Sequence, residues 1–190
     1  SRAEIAAMEG LSSDQITGQW LANNGTYGQS GDLALDEEAG LMLWDTVTPE
    51  GSRTSNWLLL ESGNDYNNLR GILTRNTGGE SELHPLHIGT WGTGSTPVIN
   101  DELYTGGKLG VENLVVQGVK FTDGVKIFKY NENIIFDDIS VTGSEMAVQA
   151  SYSVTVRNSD FIDVYPTTPA NGGDWEAHVD REQGLYFGRV

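Results

Sequence analysis

The densest collection of reactive side chains lies near the end of the chain, in Trp175-Glu176-Ala177-His178-Val179-Asp180-Arg181-Glu182-Gln183-Gly184-Leu185-Tyr186-Phe187. Proton abstraction beside a carboxylate needs a base, and a positive charge to hold the anion that forms. His178 and Arg181 are of those types. Acid–base hydrolysis instead uses two carboxylates at a set separation, one with a raised pKa. Glu176 and Asp180 are the candidates for that pair, with Glu182, Asp160 and Asp163 as further carboxylates. Trp175, Tyr186 and Tyr165 offer flat apolar faces on which a ring-shaped ligand can stack, and Glu182 can accept its hydrogen bonds. The plainer alternative stays open. Residues 164–173 contain Pro166, Pro169, Gly172 and Gly173 and read as a loop, where charged neighbours also simply face water.

The elements that must position these residues announce themselves by repetition. Val111-Glu112-Asn113-Leu114-Val115-Val116-Gln117-Gly118-Val119-Lys120-Phe121 returns as Asn131-Glu132-Asn133-Ile134-Ile135-Phe136-Asp137-Asp138-Ile139-Ser140-Val141, and again from Ser151 to Phe161. The columns Leu114/Ile134/Val154, Val116/Phe136/Val156 and Phe121/Val141/Phe161 are apolar. A fixed period of about twenty residues marks a solenoid whose units bury their apolar sides against each other. Each unit reads as an alternating strand, a bend at Gly118, Asp138 or Asn158, and a second short strand. A third strand follows at 125–129, 146–150 and 184–188. Further strands are expected at 57–61, 69–74, 86–90 and 97–100, and helical spacing is absent from this part. The bend column is expected to be structural, because Gly, Asn and Asp tolerate left-handed backbone.

Residues 1–56 do not carry the repeat and are read as a small mixed module that connects or caps. A helix is expected over 2–8, stopped near Gly10, and a second from Ser12 or Ser13 towards Leu21. Leu33-Ala34-Leu35 and Leu41-Met42-Leu43-Trp44 are read as hairpin strands around Asp36-Glu37-Glu38-Ala39-Gly40. Residues 57–190 are read as the solenoid. The chain stops just after the 184–188 strand without a polar closing segment, so the reading expects the polypeptide to continue with further coils.

Bulk composition excludes several classes. The 190 residues include 27 acidic and 11 basic side chains, a formal net charge of −16, which disfavours binding to nucleic acid and anionic membranes. No apolar run approaches the roughly 18 to 20 residues of a membrane-spanning helix. There are no cysteines, so disulfides, thiolate metal sites and cysteine nucleophiles are excluded.

The segment Glu82-Leu83-His84-Pro85-Leu86-His87-Ile88-Gly89-Thr90-Trp91-Gly92-Thr93-Gly94, followed by Pro97-Val98-Ile99, resembles a phrase common in the right-handed parallel β-helix, pectate-lyase-like superfamily. The resemblance covers 57–190 and implies an all-β solenoid of ~20-residue coils. It implies a glycan as ligand, since the superfamily includes polysaccharide lyases, epimerases, hydrolases and bacteriophage tailspikes. His178 and Arg181 would then serve a lyase, Glu176 and Asp180 a hydrolase, and Trp175, Tyr186 and Tyr165 would stack on sugar rings. The module before Trp57 departs from secreted lyases, which lead directly into the helix, and is similar to the attachment modules of spikes. The expected function is a spike or adhesin of a phage-like particle, extracellular on the particle surface. It would bind cell-surface polysaccharide as a homotrimer and join other virion proteins through residues 1–56. The alternatives are a secreted polysaccharide lyase, epimerase or hydrolase, and a purely structural stalk.

Other motifs carry less. His84 and His87 lie three apart in an extended segment and point to opposite faces, which makes a poor two-ligand metal site. Asp137-Asp138 and Asp36-Glu37-Glu38 are of the type to attract Ca²⁺ but lack the oxygen spacing of a known calcium loop. The glycines over 89–94 precede no Lys-Ser/Thr and open no helix, so a phosphate loop is rejected.

Overall fold

Helices open the chain because each has a side-chain acceptor just ahead of its first turn. Ser1 Oγ accepts from Glu4 N before α1 (Arg2–Glu9), and Thr17 Oγ1 from Trp20 N before α2 (Gly18–Asn23). Asp36 Oδ1 does the same for Ala39 N before α3 (Glu37–Val47). Each satisfies an amide that a helix start leaves unpaired. The computed structural model describes residues 1–28, 33–73, 76–105 and 110–162, together with the backbone of 185–187. It divides into two compact units, Ser1–Pro49 and Glu50–Val190.

In the first unit, Ile5, Ala6, Ile16, Leu21, Tyr27, Ala39 and Leu43 form the core. Helices α2 and α3 meet at Gly18, where a Cβ would fall 2.3 Å from Met42 O. Arg2 ties the unit together by donating to Ser13 O, Ile16 O and Glu38 Oε1. The expected helix over 2–8 is present as α1, and Gly10 ends it in the left-handed conformation (φ 69°). The second expected helix is divided into a 3₁₀ turn, Ser13–Gln15, and α2. The expected hairpin is not formed, because Leu41 to Trp44 belong to α3. Ala39 and Leu43, one turn apart, are buried together, while Asp36, Glu37 and Glu38 place an acceptor and negative charge at the start of the helix. A four-residue apolar run fits a strand or a helix equally well, and here the cap decides.

The second unit is built of parallel sheets. The first has the order β1 (Trp57–Glu61), β3 (Leu86–Trp91), β6 (Glu112–Gln117), β9 (Glu132–Asp137) and β12 (Tyr152–Arg157). The second joins β2 (Asp65–Tyr66), β4 (Val98–Ile99), β7 (Lys120–Phe121), β10 (Ser140–Thr142) and β13 (Asp160–Ile162). The third contains β5 (Leu103–Thr105), β8 (Val125–Phe128), β11 (Met146–Gln149) and β14 (Leu185–Phe187). Every strand pairs with its equivalent in the neighbouring repeat: Leu86 with Leu114, Leu114 with Ile134, and Ile134 with Val154. The expected apolar columns therefore lie in register. Leu114, Val116, Phe121, Ile127, Ile134, Phe136 and Val141 are fully buried, each worth roughly 1.5–3 kcal/mol over an exposed position.

Asn, Gly and Asp hold the corners. Gly118, Asp138 and Asn158 have φ of 69°, 53° and 52°, the left-handed geometry expected of the bend column. A second left-handed column, Asn113, Asn133 and Ser153 (φ 51°, 57° and 52°), kinks the starts of β6, β9 and β12. It is stapled by Asn133 Nδ2 donating to Asn113 Oδ1 at 2.8 Å. Beside it, Asn131 Oδ1 accepts from Val111 N and its amide donates to Ser151 Oγ. These ladders repeat at the same twenty-residue spacing.

The earlier repeats are longer, as the pairs Leu58–Ile88 and Leu86–Leu114 show, yet keep register. Their extra residues sit in corners. One excursion, 80–85, leaves the sheet at Gly79 and returns at Leu86, closed by reciprocal backbone bonds between Ser81 and His84. The strand expected over 69–74 is not formed by 69–73. Leu69, Ile72 and Leu73 are buried in a turn closed by Ile72 N donating to Leu69 O, and the short strand Asp65–Tyr66 makes the sheet pairing instead.

Replacing Asn133 separates the two contributions at the kink. Both substitutions remove the ladder; alanine also forces a Cβ into left-handed backbone, a larger cost than the extra unfolded-state freedom that glycine brings. Asn133→Ala is therefore expected to be less stable than Asn133→Gly by about 1 kcal/mol, read by chemical denaturation.

Candidate functional site

Strand β1 is apolar on both faces. Its alternation sends Leu58 and Leu60 inward, with Leu60 buried, and Trp57, Leu59 and Glu61 outward. Pairing with β3 places His87 beside Trp57, Gly89 beside Leu59 and Trp91 beside Glu61 on the outer face. Trp57 is 63% exposed, Leu59 42% and Trp91 41%. Large apolar side chains gathered on a solvent-facing surface mark a contact site more often than a packing accident.

The geometry is ordered from below. The Trp57 and His87 rings stack with centroids 4.5 Å apart and planes 31° from parallel. A Cβ at Gly89 would lie 2.7 Å from His87 Nε2 and 3.5 Å from Leu59 Cδ2, so only glycine lets the imidazole lie over this backbone. At the far end, Glu61 accepts from Asn64 Nδ2 at 2.9 Å, and its backbone amide donates to the Tyr66 hydroxyl at 2.8 Å. His87 and Trp91 are four residues apart on one strand, so the two aromatic platforms stand about 13 Å apart along the strand direction. Leu59 lies between them. Indole faces carry the negative side of a quadrupole and bind C–H and cationic edges, while Glu61 and Asn64 offer an acceptor and an amide to hydroxyl groups.

The same face continues across the sheet as Val115, Ile135 and Thr155 in one row and Gln117, Asp137 and Arg157 in the next. Asp137 is spoken for. It accepts from Arg157 Nη2 at 2.9 Å and Asn158 Nδ2 at 2.8 Å, and these bonds hold its carboxyl below the usual aspartate value. Of the other carboxylates considered for Ca²⁺, Asp36 caps α3 and Glu38 pairs with Arg2. Among the described residues no group of three or more His, Asp or Glu converges as a metal site would require.

A second cluster lies on the third sheet. Glu102 is buried and accepts from Lys126 Nζ at 2.6 Å and Arg70 Nη2 at 3.1 Å. The Arg70 guanidinium lies 5.8 Å over the Tyr104 ring, which meets Phe128 edge-on at 6.1 Å. Both cations are committed to the carboxylate, so this is a cross-brace between sequence-distant segments.

Most of the site read from the sequence falls elsewhere. His178, Arg181, Glu176, Asp180, Trp175, Glu182, Tyr165 and Asp163 lie outside the described residues. Tyr186 is on β14, where its backbone pairs with Ala147. Asp160 is exposed on β13, opposite Ser140. His84 is exposed in the 80–85 excursion, and His87 faces outward beneath Trp57. The platform of Trp57, Leu59 and Trp91 was missed. Its signal was the run Trp57-Leu58-Leu59-Leu60, which is too apolar for a strand with one solvated face.

No family model, curated protein or solved structure matches this chain.

Burial holds the His87 imidazole below the ordinary histidine value of 6.5. Above that range the folded and unfolded chains both carry a neutral ring, so the linkage contributes nothing. Below it the unfolded chain takes up the proton first, and stability falls with pH. His87→Gln is expected to flatten the slope of stability against pH in the window just below 6.5, read by denaturant melts.

Proposed function

We propose that residues 57–190 belong to a right-handed parallel β-helix of the pectate-lyase-like kind, and that the protein is a spike or adhesin of a phage-like particle that holds cell-surface polysaccharide. The fold reading is supported by three parallel sheets in which every strand pairs with its equivalent in the next repeat, with left-handed corners between them. The functional reading is carried by one observation: two exposed tryptophans and a leucine stand in a row on the outer face of the first sheet, on a chain of net charge −16. Flat apolar surfaces bordered by an acceptor and an amide suit pyranose rings, which present C–H faces and hydroxyl edges. The separate helical unit Ser1–Pro49 is the part that would join the particle.

The test is binding of an array of oligosaccharides by the wild-type chain and by Trp57→Ala and Trp91→Ala. Each substitution is expected to weaken binding on the order of tenfold, about 1.4 kcal/mol. Melting temperature is expected to fall modestly, because Trp57 stacks on His87 and Trp91 is 41% exposed, so binding is compared well below both transitions. Unchanged glycan affinity in a Trp57→Ala/Trp91→Ala double variant would sink the platform as the binding site.

A further inference from the structure

We infer that the platform takes an uncharged glycan and discriminates against chains bearing carboxylate, sulfate or phosphate groups; this rests on the glycan-binding reading above. The inference comes from the charges that share the platform's sheet. The five first-sheet strands carry four carboxylates, Glu61, Glu112, Glu132 and Asp137, and one permanent cation, Arg157. That cation is bound to Asp137 at 2.9 Å. The nearest arginine before β1, Arg53, is likewise committed: its guanidinium pairs with Glu112 at 3.0 Å and donates to the Asn76 side chain and backbone carbonyl. Among the described residues Glu61 and Glu132 have no paired cation, and Glu61 stands directly beside Trp91. The one histidine of these strands, His87, lies under Trp57, where burial lowers its pKa and so disfavours the cation.

An anionic sugar laid across Trp57, Leu59 and Trp91 would lose hydration with no uncommitted cation on these strands to receive it, close to an unneutralised carboxylate. An uncharged sugar meets neither cost. Its C–H faces lie against the indoles and Leu59, and its hydroxyls reach Glu61 and Asn64. A cationic amino sugar would gain from Glu61 and the indole faces, but it would give up ammonium hydration against a single exposed carboxylate already bonded to Asn64, a cost the uncharged ring does not meet.

The test uses the full chain on an array of neutral, acidic (uronate, sialylated, sulfated) and amino-sugar oligosaccharides. Wild type, the Trp57→Ala/Trp91→Ala double variant and Glu61→Lys are compared. Neutral ligands are expected to dominate, to be lost in the double variant, and to hold their affinity within about twofold between roughly 0.05 and 0.5 M salt, which shortens the Debye length about threefold. Glu61→Lys is expected to bring in acidic ligands that wild type rejects. If acidic or amino-sugar ligands bind best and the double variant loses them, this inference fails while the platform stands. If no ligand binds, or binding survives in the double variant, the platform reading fails and takes the inference with it.

Discussion

Parallel pairing between each strand and its equivalent in the next repeat is the constraint on which the second unit depends. Strands about 4.8 Å apart that share one register must place like positions side by side. Burial is thereby decided a column at a time, since Leu114, Ile134 and Val154 cannot point different ways without breaking the ladder between them. A slip of one residue would turn every apolar side chain of a strand to the other face. Corners follow from the same demand. The chain must turn at the same place in every repeat, so the backbone strain recurs there, and Asn, Gly, Asp and Ser occupy those positions with φ near 50–70°. Side-chain amides that stack between repeats at Asn113, Asn131 and Asn133 convert that strain into cross-links.

What the sequence disclosed follows this logic. The three even copies over 111–161 revealed strands, bends and buried columns, because equal length leaves every signal aligned. Before Leu114 the repeats are unequal, and inference weakened there. The excursion 80–85 hid the kinship between β3 and β6, and the apolar residues 69–73 imitated a strand while closing a turn. In the leading unit, Leu41 to Trp44 were ambiguous by periodicity, and the acceptor at Asp36 was the better guide. The role of Asn133 was legible in principle, since Asn113 and Asn133 occupy the same column, but its left-handed backbone depends on the ladder that only the fold assembles.

The site was harder to read because reactive residue types crowd attention towards 175–187, whereas an exposed platform needs no reactive group. Trp57, Leu59 and Trp91 matter through what the sheet leaves uncovered. Neither β1 nor β3 alone reveals the pairing of Trp57 with His87, or the need for glycine at position 89. Charge was equally deceptive. Composition reports a strongly acidic chain, but the face beside the platform is defined by which cations are already taken, and those partners lie far away in sequence, as Arg53 with Glu112 and Arg157 with Asp137 show.

The outward row of the first sheet also has a consequence for how such a protein can change over generations. Trp57, Leu59 and Trp91 are largely outside the packed columns, whereas Leu58, Leu60 and Ile88 on the same strands face inward. Specificity and foldability are thus written in alternate letters of the same short words. Under the binding proposed above, the outward letters other than Gly89 can change with the ligand, while the inward ones preserve the architecture that presents them.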